Sequence, residues 1–159
     1  MYSDYGTFGL VLGVHSIVRW LVIGLGLGTV ARAWTGKRAG RAWSSTDTRV
    51  GRMFVACLDL QVLVGVVLYG VYSPTVAAGM SNMAIATRST AYRFWLLEHP
   101  VAMIVALGLA HVGLSKARRA DGPIALRHAT LYFTLAFVIV LAAIPWPTFT
   151  YGRALWPLR

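Results

Sequence analysis

Acidic side chains are scarce: among 159 residues there are five Asp or Glu against fifteen Lys or Arg. Cysteine is nearly absent too. The single Cys57 lies inside an apolar block, which excludes an internal disulfide and leaves the redox compartment unmarked. There is no C-x-x-C-H run to carry covalent haem. No close-spaced set of four Cys or His offers a structural zinc site. "GLGLGTVARAWTGK" is no phosphate-binding loop, because its glycines fall within an apolar run and the G-K-[ST] ending is missing. No Ser-His-Asp arrangement can be inferred, so no catalytic residue is singled out. "MYSDYG" has no basic n-region, and the apolar block after it is long enough to stay as a span. Low-complexity tails, long linkers, a soluble domain and a clear internal repeat are all lacking.

What is present is hydrophobic residue, 57% of the chain, gathered into long blocks without the polar stripe of a globular helix. A spanning helix needs ~20 mostly apolar residues. Four blocks qualify, at about 8–30, 53–72, 94–114 and 126–144. Their length and lack of in-out alternation predict helices rather than barrel strands. The net charge of +10 does not imply nucleic acid, because the cations cluster between the blocks. Arg32, Lys37, Arg38, Arg41, Arg49 and Arg52 follow the first block; Lys116, Arg118, Arg119 and Arg127 follow the third. The positive-inside rule puts both connections in the cytoplasm and both termini outside, with the apolar loop 73–90. The expectation is an all-α integral membrane four-helix bundle, up-down-up-down, multi-pass in a bacterial inner membrane. Ser89 is the expected N-cap of the third span, with Pro100 disturbing it locally. Span four should stop at the two prolines of "IPWPTF", with Trp146 suited to the headgroup region. "GLGLG" at 24–28, with Gly108 and Gly113, should let helices approach closely.

The four histidines sort by depth into an outer pair, His15 with His99, and an inner pair, His111 with His128. Imidazole ligates haem iron, and a bundle can clamp a porphyrin between facing histidines. The step from His99 to His111 spans ~18 Å along the helix and turns ~120° around it, so the two can face different neighbours. The outer pair is the expected haem site, and the inner pair is a second candidate. Bland readings stand beside these. His15 and His99 can instead bond neighbouring helices or touch a quinone, His111 can bond a neighbouring helix, and His128 can be a solvated interfacial side chain. Arg19 shares a helical face with His15 and needs a counter-charge, which Glu98, Asp59 or a haem propionate can supply. Asp59 and Gln61, two apart, do not share a face; either can contact a ligand, and a carboxylate near an arginine suits a quinone or proton site.

Five stretches occur in one order along nearly the whole chain: "HSIVRW" at 15–20, "DLQVLVGVVLY" at 59–69, "RFWLLEHPVAM" at 93–103, "SKARR" at 115–119 and "AAIPWP" at 142–147. In this the chain resembles the short bacterial four-span proteins labelled "cytochrome B". The resemblance implies a membrane b-type cytochrome-like bundle, and by motif it points to His15, Arg19, Asp59, Gln61, Glu98 and His99. The inner histidines are less characteristic of that group, which favours one haem b over two. The spacing of His99 and His111 is shorter than the histidine pairs of large respiratory cytochromes b and b561-like proteins, so the chain is no simple fragment of either. The expected function is electron transfer, with haem between spans one and three and exchange with quinone or a partner subunit of a redox membrane complex. A cofactor-free accessory subunit is the alternative. A small transporter lined by Arg19, Asp59 and Glu98 is a third reading, weakened by the lack of a repeated broken-helix pattern.

Overall fold

Lipid offers no partner to a backbone N–H or C=O, so each apolar stretch must satisfy its own, and a helix does so. The computed structural model describes residues 3–155. Its elements are α1 (Ser3–Arg38), α2 (Ser45–Val67), α3 (Pro74–Ser81), α4 (Met83–Arg88), α5 (Thr90–Arg93), α6 (His99–Arg119) and α7 (Gly122–Ala143). Two π-helical segments, Leu68–Tyr72 and Phe94–Glu98, prolong α2 and join α5 to α6. Among the described residues there is no strand. Four stretches are long and apolar enough to cross a membrane: Gly6–Arg38, Ser45–Tyr72, Thr90–Arg119 and Gly122–Ala143. The chain is a multi-pass membrane protein with an all-α, four-helix architecture.

The first two spans run further into the basic connection than hydropathy predicts. Ser44 and Asp47 form a reciprocal capping box that starts α2 well before its apolar run. Asp47 is buried and also binds Arg32 at 2.8 Å and the guanidinium of Arg41. Arg41 donates in addition to the carbonyl of Arg32, 3.1 Å away. The bend at Gly40, where φ is +62°, is thereby tied to both helices. The loop 73–90 is likewise not irregular but folds as the short helices α3, α4 and α5. Ser89 does sit at an N-cap, of α5, though its side chain makes no capping bond.

The long helices form a square in which α1 packs on α2 and α7, and α6 packs on α2 and α7. Neighbours run antiparallel. Near one end His15 of α1 meets Gln61 of α2, and deeper Gly26 faces Phe54. Near that same end His99 of α6 meets Ala143 of α7, and towards the other Gly113 faces Tyr132. Helices α1 and α6 are therefore diagonal partners. The centre is filled by Val22, Phe54, Leu58, Ala106, Ala110, Phe133 and Ala136, with Phe54 and Phe133 edge to face at 6.1 Å. Of the predicted close-approach glycines, Gly26 and Gly113 bear the role: a Cβ there would lie 2.5 Å from Phe137 and 2.6 Å from Tyr132. Gly24, Gly28 and Gly108 have open space where a Cβ would go.

Candidate outer-cavity site

Prolines shape one end of the bundle. A proline has no N–H, so the carbonyl four residues before it is left without its helical partner. Pro100 frees the carbonyl of Leu96, and the hydroxyl of Tyr69 donates to it at 3.1 Å. Pro145 frees the carbonyl of Leu141, and the indole N–H of Trp146 takes it at 2.9 Å. Pro147 removes the donor from the position four beyond Ala143, and Nδ1 of His99 lies 2.8 Å from that carbonyl oxygen. Both prolines after α7 stop it as expected. Trp146 serves to cap its last turn, beyond any headgroup role.

Around these bonds lies a cavity of about 800 Å³, within the size range of cofactor sites. His15, Arg19, Gln61, Tyr69, Trp95, His99 and Arg153 give it polar edges; Leu12, Val22, Met103 and Val140 are among its apolar walls. Both π-helical segments border it through Leu68, Tyr69, Trp95 and Leu96, and such wide turns recur at functional sites. The chain after α7 folds back across the opening. Tyr151 stacks on Phe94 with centroids 3.9 Å apart, Arg153 lies over the Trp95 ring at 4.2 Å, and the Leu155 carbonyl accepts from Arg19 and Trp20.

The predicted outer pair is thus brought to one cavity from diagonal helices. A carbonyl only accepts, so His99 must hold its proton on Nδ1, which leaves a lone pair on Nε2. That is how metal-binding imidazoles are commonly fixed, by a second-sphere acceptor on the opposite nitrogen. His15 is held differently. Its Nε2 lies 3.0 Å from Nε2 of Gln61. A Cβ at Gly65 would sit 3.3 Å from Cε1 and 3.9 Å from Nδ1, so both ring nitrogens lie against α2. The absence of a side chain at Gly65 makes the space for this ring. If the Gln61 amide donates, Nδ1 of His15 carries the proton; with the amide turned over, Nδ1 bears a lone pair instead.

The remaining expected site residues separate from these. Gln61 and Arg19 line the cavity, each buried. Glu98 does not reach Arg19; it pairs with Arg93 at 2.6 Å on the exposed surface. Asp59 pairs instead with His111 at 2.9 Å, both side chains about half exposed on the outside of the bundle. The inner histidines are accordingly not paired with each other: His128 lies beside Tyr132, ring centroids 6.3 Å apart. Among the described residues no three His, Cys, Asp or Glu converge on a metal-sized site. No family model, curated protein or solved structure matches this chain.

Sequence reasoning passed over Arg153, Tyr69, Trp95 and Gly65. The prolines were the available signal, because each one announces a freed carbonyl and hence a side-chain donor nearby. Burial pushes the Arg153 guanidinium below its ordinary pKa. Among the described residues no Asp or Glu lines the cavity to offset that cost.

Proposed function

We propose that the chain is a b-type cytochrome-like electron-transfer protein that holds one haem b in the outer cavity. The observation that carries this is the bond from His99 Nδ1 to Ala143, which frees Nε2 at a large, mostly apolar cavity also lined by His15. The residues fit the group unequally. His99 offers its lone pair as it stands, and His15 does so once its ring turns away from α2 and gives up the Gln61 bond. Bound haem supplies one-electron chemistry at iron. The chain's part is to ligate from α6 and α1, to exclude water, and to place Arg19 as the counter-charge of an acidic edge.

The basic connections support an orientation with both termini outside the cytoplasm, in a bacterial inner membrane. That puts the cavity at the outer leaflet. Quinone or a partner subunit exchanges the electron, and the exposed Asp59–His111 pair is the group suited to take or release the accompanying proton. A cofactor-free accessory subunit is the second reading, favoured by the His15–Gln61 bond, which can serve as a link between helices.

Pyridine haemochrome quantitation of detergent-purified protein from haem-replete cells separates the two. Near one haem b per chain is expected. A folded, colourless protein would leave the accessory subunit standing.

A further inference from the structure

Four buried side-chain polar atoms have no hydrogen-bond partner among the described residues, and three of them belong to cavity residues: His15 Nδ1, Arg19 Nε and Gln61 Oε1. Arg19 is the most consequential. Its residue is only 7% exposed, and among the described residues its guanidinium donates only to a neutral acceptor, the Leu155 carbonyl. Arg153 enters from the returning chain, its backbone N–H on the Pro145 carbonyl at 3.0 Å, and its guanidinium rests on the Trp95 ring with no ion pair among the described residues. The two carboxylates that the sequence offered as a counter-charge are committed elsewhere, Glu98 to Arg93 and Asp59 to His111. Two guanidiniums therefore border one apolar cavity that has no carboxylate among its described lining residues. Buried charges persist in proteins when something pairs with them.

We propose that the cavity's ligand is an amphiphile that carries carboxylates, that Arg19 and Arg153 bind those carboxylates, and that the returning segment 144–155 is part of the binding site. A guanidinium fork matches a carboxylate edge to edge. Two guanidiniums from separate elements suit a dicarboxylate, one group to each. Arg19 then exchanges its bond to the Leu155 carbonyl for a charged acceptor. The apolar body of the ligand lies against Met103 and Val140. This deepens the haem reading and rests on it for the identity of the body; the demand for an acid head comes from the arginines alone.

The test is a titration of the purified full chain with iron protoporphyrin IX and with its dimethyl ester, followed by absorbance. The two ligands share a macrocycle and iron and differ in the acid groups. The free acid is expected to bind about tenfold or more tightly than the ester. Arg19→Gln and Arg153→Gln should each shrink that preference, with Arg19→Lys retaining part of it. Circular dichroism checks that each variant stays helical. Equal affinity for acid and ester overturns the proposal while leaving haem binding intact. If neither porphyrin binds, the haem reading fails, and a fluorescent fatty acid against its methyl ester decides the carboxylate claim. Preference for the acid, lost in Arg153→Gln, upholds the claim; no preference or no binding ends it.

Discussion

Nδ1 of His99 donates to the carbonyl of Ala143 across the α6–α7 boundary, 2.8 Å away, at the point where α7 gives out. Ala143 is the last residue of that helix, and Pro147 has no N–H to offer its oxygen. The helix stop and the orientation of the imidazole are one arrangement. His99 is thereby fixed before any ligand arrives, whereas His15 is held by the movable amide of Gln61.

Tyr69 fills the carbonyl that Pro100 leaves open at Leu96. Tyr69→Phe keeps the ring and removes only the donor. It should cost ~1–3 kcal/mol, the usual penalty for stranding a buried acceptor. Thermal unfolding in detergent reads the loss, and an unchanged midpoint would mean water replaces the hydroxyl.

Gly65 makes room for the His15 ring. Gly65→Leu puts an isobutyl group into the cavity wall and the space of the His15 ring, and should lower haem per folded chain. Gly65→Ala needs only a few tenths of an ångström of give, since its Cβ would meet Cε1 at 3.3 Å. Haem content of the two variants, normalised to helical protein, is the comparison. Equal content in both would detach Gly65 from the site.

The glycines divide into tight and open positions. Gly26→Val and Gly113→Val must push against Phe137 and Tyr132, and should destabilise by ~1–3 kcal/mol as overpacking does. Gly28→Ala and Gly108→Ala meet nothing within 4 Å and should be tolerated. Unfolding midpoints of the four variants test the division.

Asp59 and His111 lie outside the cavity lining, so Asp59→Asn and His111→Ala should leave haem content unchanged. If the pair handles the proton of quinone exchange, reduction of the haem by a quinol analogue should slow in both. Loss of haem in either variant would place the pair in the wrong functional unit.

The spans, their antiparallel order and the outer histidine pair were legible in the sequence because each rests on local pattern: apolar length, loop charge and depth along a helix. The partners of Arg19, Glu98 and Asp59 were not. Depth puts residues at one level, but rotation about the helix decides which neighbour they meet. Glu98 turns outward to Arg93, and Asp59 turns to His111 on the adjacent α6. Arg153 was hidden for a different reason. Pro145 and Pro147 signal that α7 ends, yet only tertiary contact, Tyr151 on Phe94 and Leu155 on Arg19, brings the chain back over the bundle. The early start of α2 was written in Ser44-x-x-Asp47, a capping signature that hydropathy alone does not register.

Electron paramagnetic resonance of the oxidised protein reports the ligands of the iron. A low-spin, two-imidazole signal is expected in the parent chain. His15→Ala should turn it high-spin with reduced haem, and His99→Ala should lose the haem, because only His99 is fixed in advance. A low-spin signal that survives both substitutions would contradict ligation by this pair, and a parent chain with no haem signal would contradict the account as a whole.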